Sequence, residues 1–456
     1  MSKYILHVDV NSAFLSWTAV KELEDNPEAV DLRTIPSGIA GDANSRHGIL
    51  TALSIPAKKC GIHTAENLGS ALKKCPELVL RSADFRVYKA FSDQFINILK
   101  EFSPKVMQVS IDEAYVDITN SKALFENLGE AYSKYEFPIN AAYYIKDTIK
   151  DRLKFTVNVG VSVNRILAKM ASDFVKPDKV HTLFPSEIEE KMWKLDIGKL
   201  YGCGRQTADK LKLLGVNTIG QAAKMDEKLL KQILGEKQGE YIYNSANGIG
   251  SDKVVATERD PKSYSNEITL SFDITRENYD QFALKIISDI SEEVAYRLRN
   301  DNATCNTVGV VVKTNNFKRK SKQISFDNPT NITKVISSHA KELMNELMLG
   351  ENGVFKTSTG VRLIGVVCSG LNKNQERQLS IFDTLEDDFK KNASNKSLNS
   401  NKDNSKSIDY NYDSEKLEKL DAMLDLSRKK FGKGAIKRAG SLEILKRKDR
   451  KDYDGE

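Results

Sequence analysis

"VSIDEAYVDI", Val109–Ile118, reads as two short strands wrapped around a pair of adjacent acids, Asp112 and Glu113. A two-residue hairpin favours Asn-Gly or Asp-Gly, because its centre needs positive φ. Two neighbouring carboxylates repel, and each raises the other's pKa unless a positive charge lies close. The stretch is therefore either a solvated surface turn or a cation site. The surrounding chain has to decide.

Upstream, "YILHVDV" is a short β-rich run that carries Asp9 near its end. "AFLSWTAVKEL" follows with Phe14, Trp17, Val20 and Leu23 at helical spacing. From about Leu32 to Cys75 the chain is punctuated by Gly, Ser and Lys and reads as a small insertion of short elements. "DFRVYKAFSDQFINILKEF" is an amphipathic helix leading into the opening hairpin. Downstream, "INAAYYIKDTIKDRL" predicts a helix, "FTVNVGVS" a strand, and "NRILAKMASDFVKP" a helix stopped by Pro177. This order predicts an α+β sheet domain with helices packed on it.

The remainder changes grammar. "LDIGKLYGCGRQTADKLKLLGVNTIGQAA" sets a tight Gly202-Cys203-Gly204 turn before a helix ending at Gly215. That resembles a helix-hairpin-helix element, whose turn exposes backbone N–H groups to phosphate. From roughly Ser263 to Gly370 the predicted order is β-α-β-β-α-β, a separate small α+β domain. Its central hairpin bears Lys318, Arg319, Lys320 and Lys322, which could track a phosphate backbone. Beyond about Thr384 the composition falls to Lys, Asn, Ser and Asp, as expected of a disordered linker. "KLEKLDAMLDLSRKKFGKGAIKRAG" then regains helical periodicity and ends strongly basic.

Bulk properties narrow the class. A chain of 456 residues predicts two to four domains. With 40% hydrophobic and 29% charged residues, it has the balance of a soluble globular protein. The net charge of +6 is compatible with a nucleic-acid partner. The five cysteines are scattered, without C-x-x-C or His/Cys metal spacing, which predicts reduced thiols in a cytoplasmic setting. The N-terminus lacks a signal-peptide core, and "LIGVVCSG" is too short to span a bilayer. No membrane association is expected.

If the hairpin flanks the first strand, Asp9, Asp112 and Glu113 converge at one end of the sheet. A carboxylate cluster without His or Cys suits a hard cation, usually Mg²⁺. Two such ions would clamp the attacking and leaving oxygens of a phosphoryl transfer. Lys58, Lys59 and Lys176 could then neutralise a triphosphate and its pyrophosphate product.

These residues carry a resemblance. "HVDVNSAFLSW", "SIDEAYVDIT", "VGVSVNRILAKMASDFVKP" and "YGCGRQTADKLKLLGV" resemble, in order and spacing, the Y-family translesion DNA polymerases of the bacterial DinB/UmuC type. The likeness covers Met1 to about Gly370. It implies an α+β multidomain right hand: palm at 1–12 and 83–180, small fingers at 13–82, helix-hairpin-helix thumb at 181–250, β-α-β-β-α-β little finger at 260–370, and tail at 371–456. Asp9, Asp112 and Glu113, assisted by the Val10 carbonyl, would hold two Mg²⁺ ions. Phe14 would be the steric gate against a ribose 2′-OH, and Lys58 and Lys176 would bind nucleotide. Gly202, Gly204, Lys318, Arg319 and Lys320 would contact DNA. The implied reaction is low-fidelity, template-directed addition of dNTPs to a primer 3′-OH in DNA damage repair and the SOS response, by a monomer.

The fingers depart from the family pattern. Ile55-Pro56-Ala57-Lys58 stands where Tyr-Glu-Ala-Arg is frequent, so a lysine replaces a bidentate arginine. Ser12 stands where some members carry an aromatic residue. "QLSIFD" resembles the sliding-clamp-binding peptide, with Gln378 at a pocket rim and Leu379, Ile381 and Phe382 inside it. The alternative reading is a catalytically silent relative that binds DNA and docks on the clamp as a scaffold. Such a relative has no reason to keep the three acids, and this chain has them. A palm-type nucleotidyl cyclase would have no use for the two C-terminal domains. A helix-hairpin-helix nuclease would need a separate acidic core, which the sequence lacks.

Overall fold

The computed structural model describes residues 3–41, 48–255, 260–373, 414–432 and 435–436. The clamp-like residues Gln378, Leu379, Ile381 and Phe382, and the segment expected to be a disordered linker, lie outside the described residues. Two compact units divide between Glu258 and Arg259.

The first unit contains β1 (Ile5–Val10), β2 (Ser37–Ala40), β3 (Leu50–Leu53), β4 (Val79–Ser82), β5 (Val106–Gln108), β6 (Glu113–Asp117), β7 (Val157–Ser162) and β8 (Val180–Thr182). Its main sheet has the order β5-β6-β1-β7-β8, so the first strand is central and the acidic hairpin lies against it. Period-2 alternation splits the strands cleanly. Leu6, Val8, Val10, Ala114, Val116, Val157, Val159 and Val161 join the helices Phe85–Phe102 and Ile139–Leu153 in one core. His7, Asp9, Glu113 and Tyr115 occupy alternate positions, on the other face, where the helix Arg165–Ser172 packs. Gly160, opposite His7 in β7, lets that helix lie directly on the sheet. A Cβ there would collide with the backbone at Ala168 and Ser172.

The hairpin differs from the sequence expectation. β5 ends at Gln108, and Val109 to Asp112 form the connection instead of continuing a strand. The acids are therefore not a two-residue tip: Asp112 closes the connection and Glu113 opens β6. No residue from Val109 to Glu113 has positive φ, because the longer connection removes the demand of a tight primed turn.

The insertion is a small sheet of order β3-β2-β4 with the short helices Ile55–Lys59 and Leu68–Lys74. The helices Arg205–Leu213, Ile219–Ala223, Glu227–Leu234 and Glu236–Ala246 follow the main sheet. Gly202, at φ 81, provides the turn before the first of them. It also admits the Tyr241 ring, which a Cβ would strike.

In the second unit, β9 (Ser263–Ile274), β10 (Thr304–Thr314), β11 (Arg319–Thr330) and β12 (Val361–Asn372) pair in the order β11-β10-β12-β9. The helices Tyr279–Asn300 and Thr333–Leu349 complete the expected β-α-β-β-α-β sequence and share the core with one sheet face. The C-terminal periodic segment forms the helix Ser414–Phe431, docked on this unit through charge. Asp421 accepts from the Thr333 backbone N–H at 2.8 Å and from Arg299 at 3.2 Å. Arg299 also forks onto Asp425 at 2.6 and 3.0 Å. The helix at Thr333 is preceded by Ile332, which has no side-chain acceptor, so Asp421 supplies the missing cap from elsewhere in the chain. Asp421→Ala would leave Arg299 and the Thr333 N–H without it. A loss of about 3 kcal/mol is expected, read as a shifted urea midpoint of this unit.

Candidate active site

Asp9 and Glu113 are direct cross-strand partners in the β1–β6 ladder. Like charges placed directly opposite are destabilising in a sheet, so this pairing calls for a cation. Asp112 is held beside them through its backbone, since the Val10 N–H donates to the Asp112 carbonyl at 3.0 Å. Its carboxylate accepts from Ser110 Oγ at 2.5 Å. Burial, and then the charges of Asp9 and Glu113, push the Asp112 carboxyl above its ordinary value.

Two groups that the sequence reading did not single out complete the arrangement. Lys169 is buried on the helix Arg165–Ser172 and places its ammonium 3.2 Å from Asp9 and 3.1 Å from Glu113. Burial works against its charge, but Asp9, Asp173 and Glu113 outweigh this and hold the ammonium above its ordinary value. The signal was present: a lysine between Ile166, Leu167 and Met170 on a buried helix face is out of place unless carboxylates meet it. His7 lies with Nε2 3.3 Å from Glu113 and Nδ1 2.8 Å from Ser172 Oγ. Burial keeps its pKa below the usual value. His7, with help from Lys169, holds Glu113 down at about 2 against the opposing effect of burial.

The expected nucleotide-side residues gather at the same edge. Lys176 reaches Asp9 at 2.9 Å and Asp173 at 3.0 Å. Lys58 donates to Ser12 Oγ at 3.2 Å, so two of the family departures touch one another. Desolvation, and then the charge of Lys176, push Lys58 below its ordinary value. Ser12 adopts the left-handed region at φ 50, which turns the chain from β1 into the helix Ala13–Asp25. Phe14 then stacks on Tyr88, with ring centroids 4.6 Å apart, and meets Phe85 edge-on at 5.8 Å.

The expected DNA contacts are dispersed. Gly202 and Gly204 flank the turn that opens the helix Arg205–Leu213. On β11, Arg319 is paired with Glu267, and Lys320 donates to Thr357 at 3.3 Å. The cysteines are also closer than their spacing implies, because Cys60, Cys75 and Glu77 converge in the small sheet domain. Burial drives the Cys75 thiol up to about 12, in keeping with a place in that domain's core.

The donors Asp9, Asp112 and Glu113 fit a hard divalent cation, since all are carboxylates and two of them already share a cation, the Lys169 ammonium. No helix among the described residues is long and apolar enough to cross a membrane.

Comparisons with known proteins agree with this architecture. Residues 8–173 match the impB/mucB/samB family, 261–381 its C-terminal domain, and 198–250 the thumb domain of DNA polymerase iota. The DNA polymerase IV of Clostridium acetobutylicum is 39% identical over 97% of this chain and 99% of that protein. That of Clostridium perfringens strain 13 is 34% identical over 84% of this chain and 99% of its own length. A solved Y-family polymerase chimera, Dbh-Dpo4(243-245)-Dbh, shares 25% identity at a TM-score of 0.66, covering 81% of this chain and 100% of that one. The chain belongs to the Y-family of translesion polymerases, of the DinB type. It is a DNA-directed DNA polymerase, and its fold comprises palm, fingers, thumb and little finger.

The raised Asp112 carboxyl has a consequence for stability. A carboxylate whose folded pKa exceeds its unfolded value opposes folding once it ionises, and the penalty fades as pH falls from neutral. In EDTA the unfavourable contribution of Asp112 is expected to shrink as pH falls, read as a narrowing difference in melting temperature between wild type and Asp112→Asn, since buried His7, held below its ordinary value, moves the stability of both proteins the other way. Asp112→Asn is expected to melt about 2 °C higher than wild type in EDTA at neutral pH. Differential scanning calorimetry checks both.

Proposed function

We propose that this polymerase extends a primer 3′-OH with dNTPs opposite damaged template positions, at low fidelity, with Asp9, Asp112 and Glu113 as its catalytic acids. The cross-strand pairing of Asp9 with Glu113, with Asp112 fixed beside them, carries the reading. These residues and the Val10 carbonyl would hold two Mg²⁺ ions, which when bound supply charge neutralisation at the reacting phosphate. The protein's own groups surround that centre. His7 and Ser172 brace Glu113 from beneath, through contacts at 3.3 and 2.8 Å. Lys169 offsets the acid charge while the site awaits substrate. Lys176 and Lys58 bind the triphosphate and favour departure of pyrophosphate. The 3′-OH attacks the α-phosphate in line, and Phe14, fixed on Tyr88, excludes a ribose 2′-OH.

Small fingers leave the nascent pair loosely enclosed, which weakens shape discrimination and lowers fidelity. Lys58 cannot form the bidentate phosphate contact of an arginine, so nucleotide binding relies on its point charge. Gly202, Gly204 and the β10–β11 hairpin with Lys318, Arg319 and Lys320 contact the DNA backbone, which makes affinity fall steeply with salt. Gln378, Leu379, Ile381 and Phe382 engage a sliding clamp. The enzyme acts as a cytoplasmic monomer.

Primer extension with Mg²⁺ and dNTPs tests the assignment. Asp112→Ala and Glu113→Ala are each expected to lose about 10³-fold or more in rate while still binding primer-template. Equal extension by either variant would remove it from the catalytic set. Phe14→Ala is expected to admit ribonucleotides at least tenfold more readily, a ratio read from single-nucleotide incorporation. Continued exclusion of ribonucleotides would sink the gate.

A further inference from the structure

The small sheet domain holds a second cluster of metal-ligating groups, on elements that carry none of the three acids. Cys60, Cys75 and Glu77 bring two sulfurs and a carboxylate oxygen within 4.8 Å of one another. Cys60 caps the C-terminus of the helix Ile55–Lys59, and Cys75 caps that of the helix Leu68–Lys74. Glu77 follows in the turn Cys75–Leu78, closed by the Leu78 N–H donating to the Cys75 carbonyl at 3.1 Å. Pro76 suits the second position of such a turn because its φ is already fixed. Lys74 stitches the two helix ends together: its ammonium donates to the Gly61 carbonyl at 2.9 Å and pairs with Glu66 at 2.8 Å. The three side chains are thus presented by backbone that is fixed without any ligand.

Packing alone accounts for only part of this cluster. Cys75 is buried in the domain's core and Cys60 is half-buried against it, as thiols acting as small hydrophobes would be. Glu77 breaks that pattern. It is an exposed residue whose carboxylate meets the two sulfurs, in hydrogen-bond contact with Cys75, and among the described residues it forms no ion pair. A disulfide would use the sulfurs and leave the carboxylate without a role, whereas a cation uses all three groups. Two thiolates with one carboxylate select a borderline-soft divalent cation over Mg²⁺, which takes oxygen donors. Tetrahedral Zn²⁺ holds its donors about 3.5 to 4 Å apart, so closure asks for side-chain movement of about 1 Å.

We propose that Cys60, Cys75 and Glu77 bind one Zn²⁺ ion, with water as the fourth ligand, as a clip on the fingers. Each thiol gives up its proton on binding, and the ionised Glu77 gives up none. The ion joins the ends of two short helices to the turn that leads into β4. A domain with so small a core gains most from such a staple. Cys60 lies two residues beyond Lys58, at the end of the helix that presents this lysine to Ser12, so the clip steadies the nucleotide-side lysine.

Full-length protein, stripped of metal by a chelator and kept reduced, would be titrated with Co²⁺ as an optical stand-in for Zn²⁺. Excess Mg²⁺ keeps the all-carboxylate site occupied. Thiolate-to-cobalt charge-transfer absorption should appear, saturate at one ion per chain and vanish when Zn²⁺ is added. Cys60→Ser and Glu77→Gln change the two more accessible donors. Each should weaken Zn²⁺ binding by at least about tenfold in competition with a chromophoric chelator, since losing a ligand costs no less than losing an outer partner. Alkylation read by mass spectrometry places the ion: Zn²⁺ should slow modification of Cys60 severalfold and leave Cys203, Cys305 and Cys368 at their own rates. Cobalt spectra without charge transfer, or Zn²⁺ affinity unchanged in Cys60→Ser, would overturn the proposal and assign the ion to carboxylates elsewhere. Unchanged affinity in Glu77→Gln would overturn the three-donor site. If Cys60→Ser does not fold, alkylation of wild type decides: equal rates at Cys60 with and without Zn²⁺ mean no such clip.

Discussion

Opposite strands of a sheet seldom place carboxylates face to face, yet β1 and β6 do so with Asp9 and Glu113. Most of the palm can be understood as support for that pairing. The ladder fixes the two Cα positions, and the Val10 to Asp112 backbone hydrogen bond adds a third acid. The charge that this concentrates has to be met from the only face left open. Gly160 opens that face by allowing the helix Arg165–Ser172 to rest on the sheet, which brings Lys169 within reach of both acids. Repulsion between carboxylates is thereby stored next to a cation that a more highly charged ion could outcompete.

The same economy extends outward. His7 is buried for packing and simultaneously braces Glu113. Phe14 belongs to an aromatic cluster, stacked on Tyr88 and edge-on to Phe85, that ties the helix Ala13–Asp25 to the helix Phe85–Phe102. Ser12 takes a left-handed conformation at the turn from β1 into that helix, and it receives Lys58 from the fingers. In the little finger, by contrast, stability is drawn from a remote element. The helix Ser414–Phe431 lies beyond the stretch that matches the family's C-terminal domain, yet Asp421 caps a helix inside that domain.

Much of this was legible in sequence because it depends on local periodicity. The β-α-β-β-α-β order of the little finger, the amphipathic helix Phe85–Phe102, and Asp9 on a buried strand all follow from spacing of apolar residues. The hairpin was misjudged for a physical reason. Val109 and Ile111 look like strand residues by propensity, but the ladder stops at Gln108 and they serve the connection. β-propensity measures fit to a half-buried pleat, and only pairing decides whether a pleat exists.

The sequence by itself determined which acids and lysines were available and which elements carry them, since these are matters of composition and period. Tertiary structure alone decided which of them meet. The apolar helix face around Lys169 shows locally that this lysine needs a carboxylate, but nothing local says which one, or marks His7 as the support of Glu113, because each contact joins residues far apart in the chain. The acid pair at the hairpin is intelligible only in register with β1, where Glu113 faces Asp9 and charge repulsion makes a cation necessary.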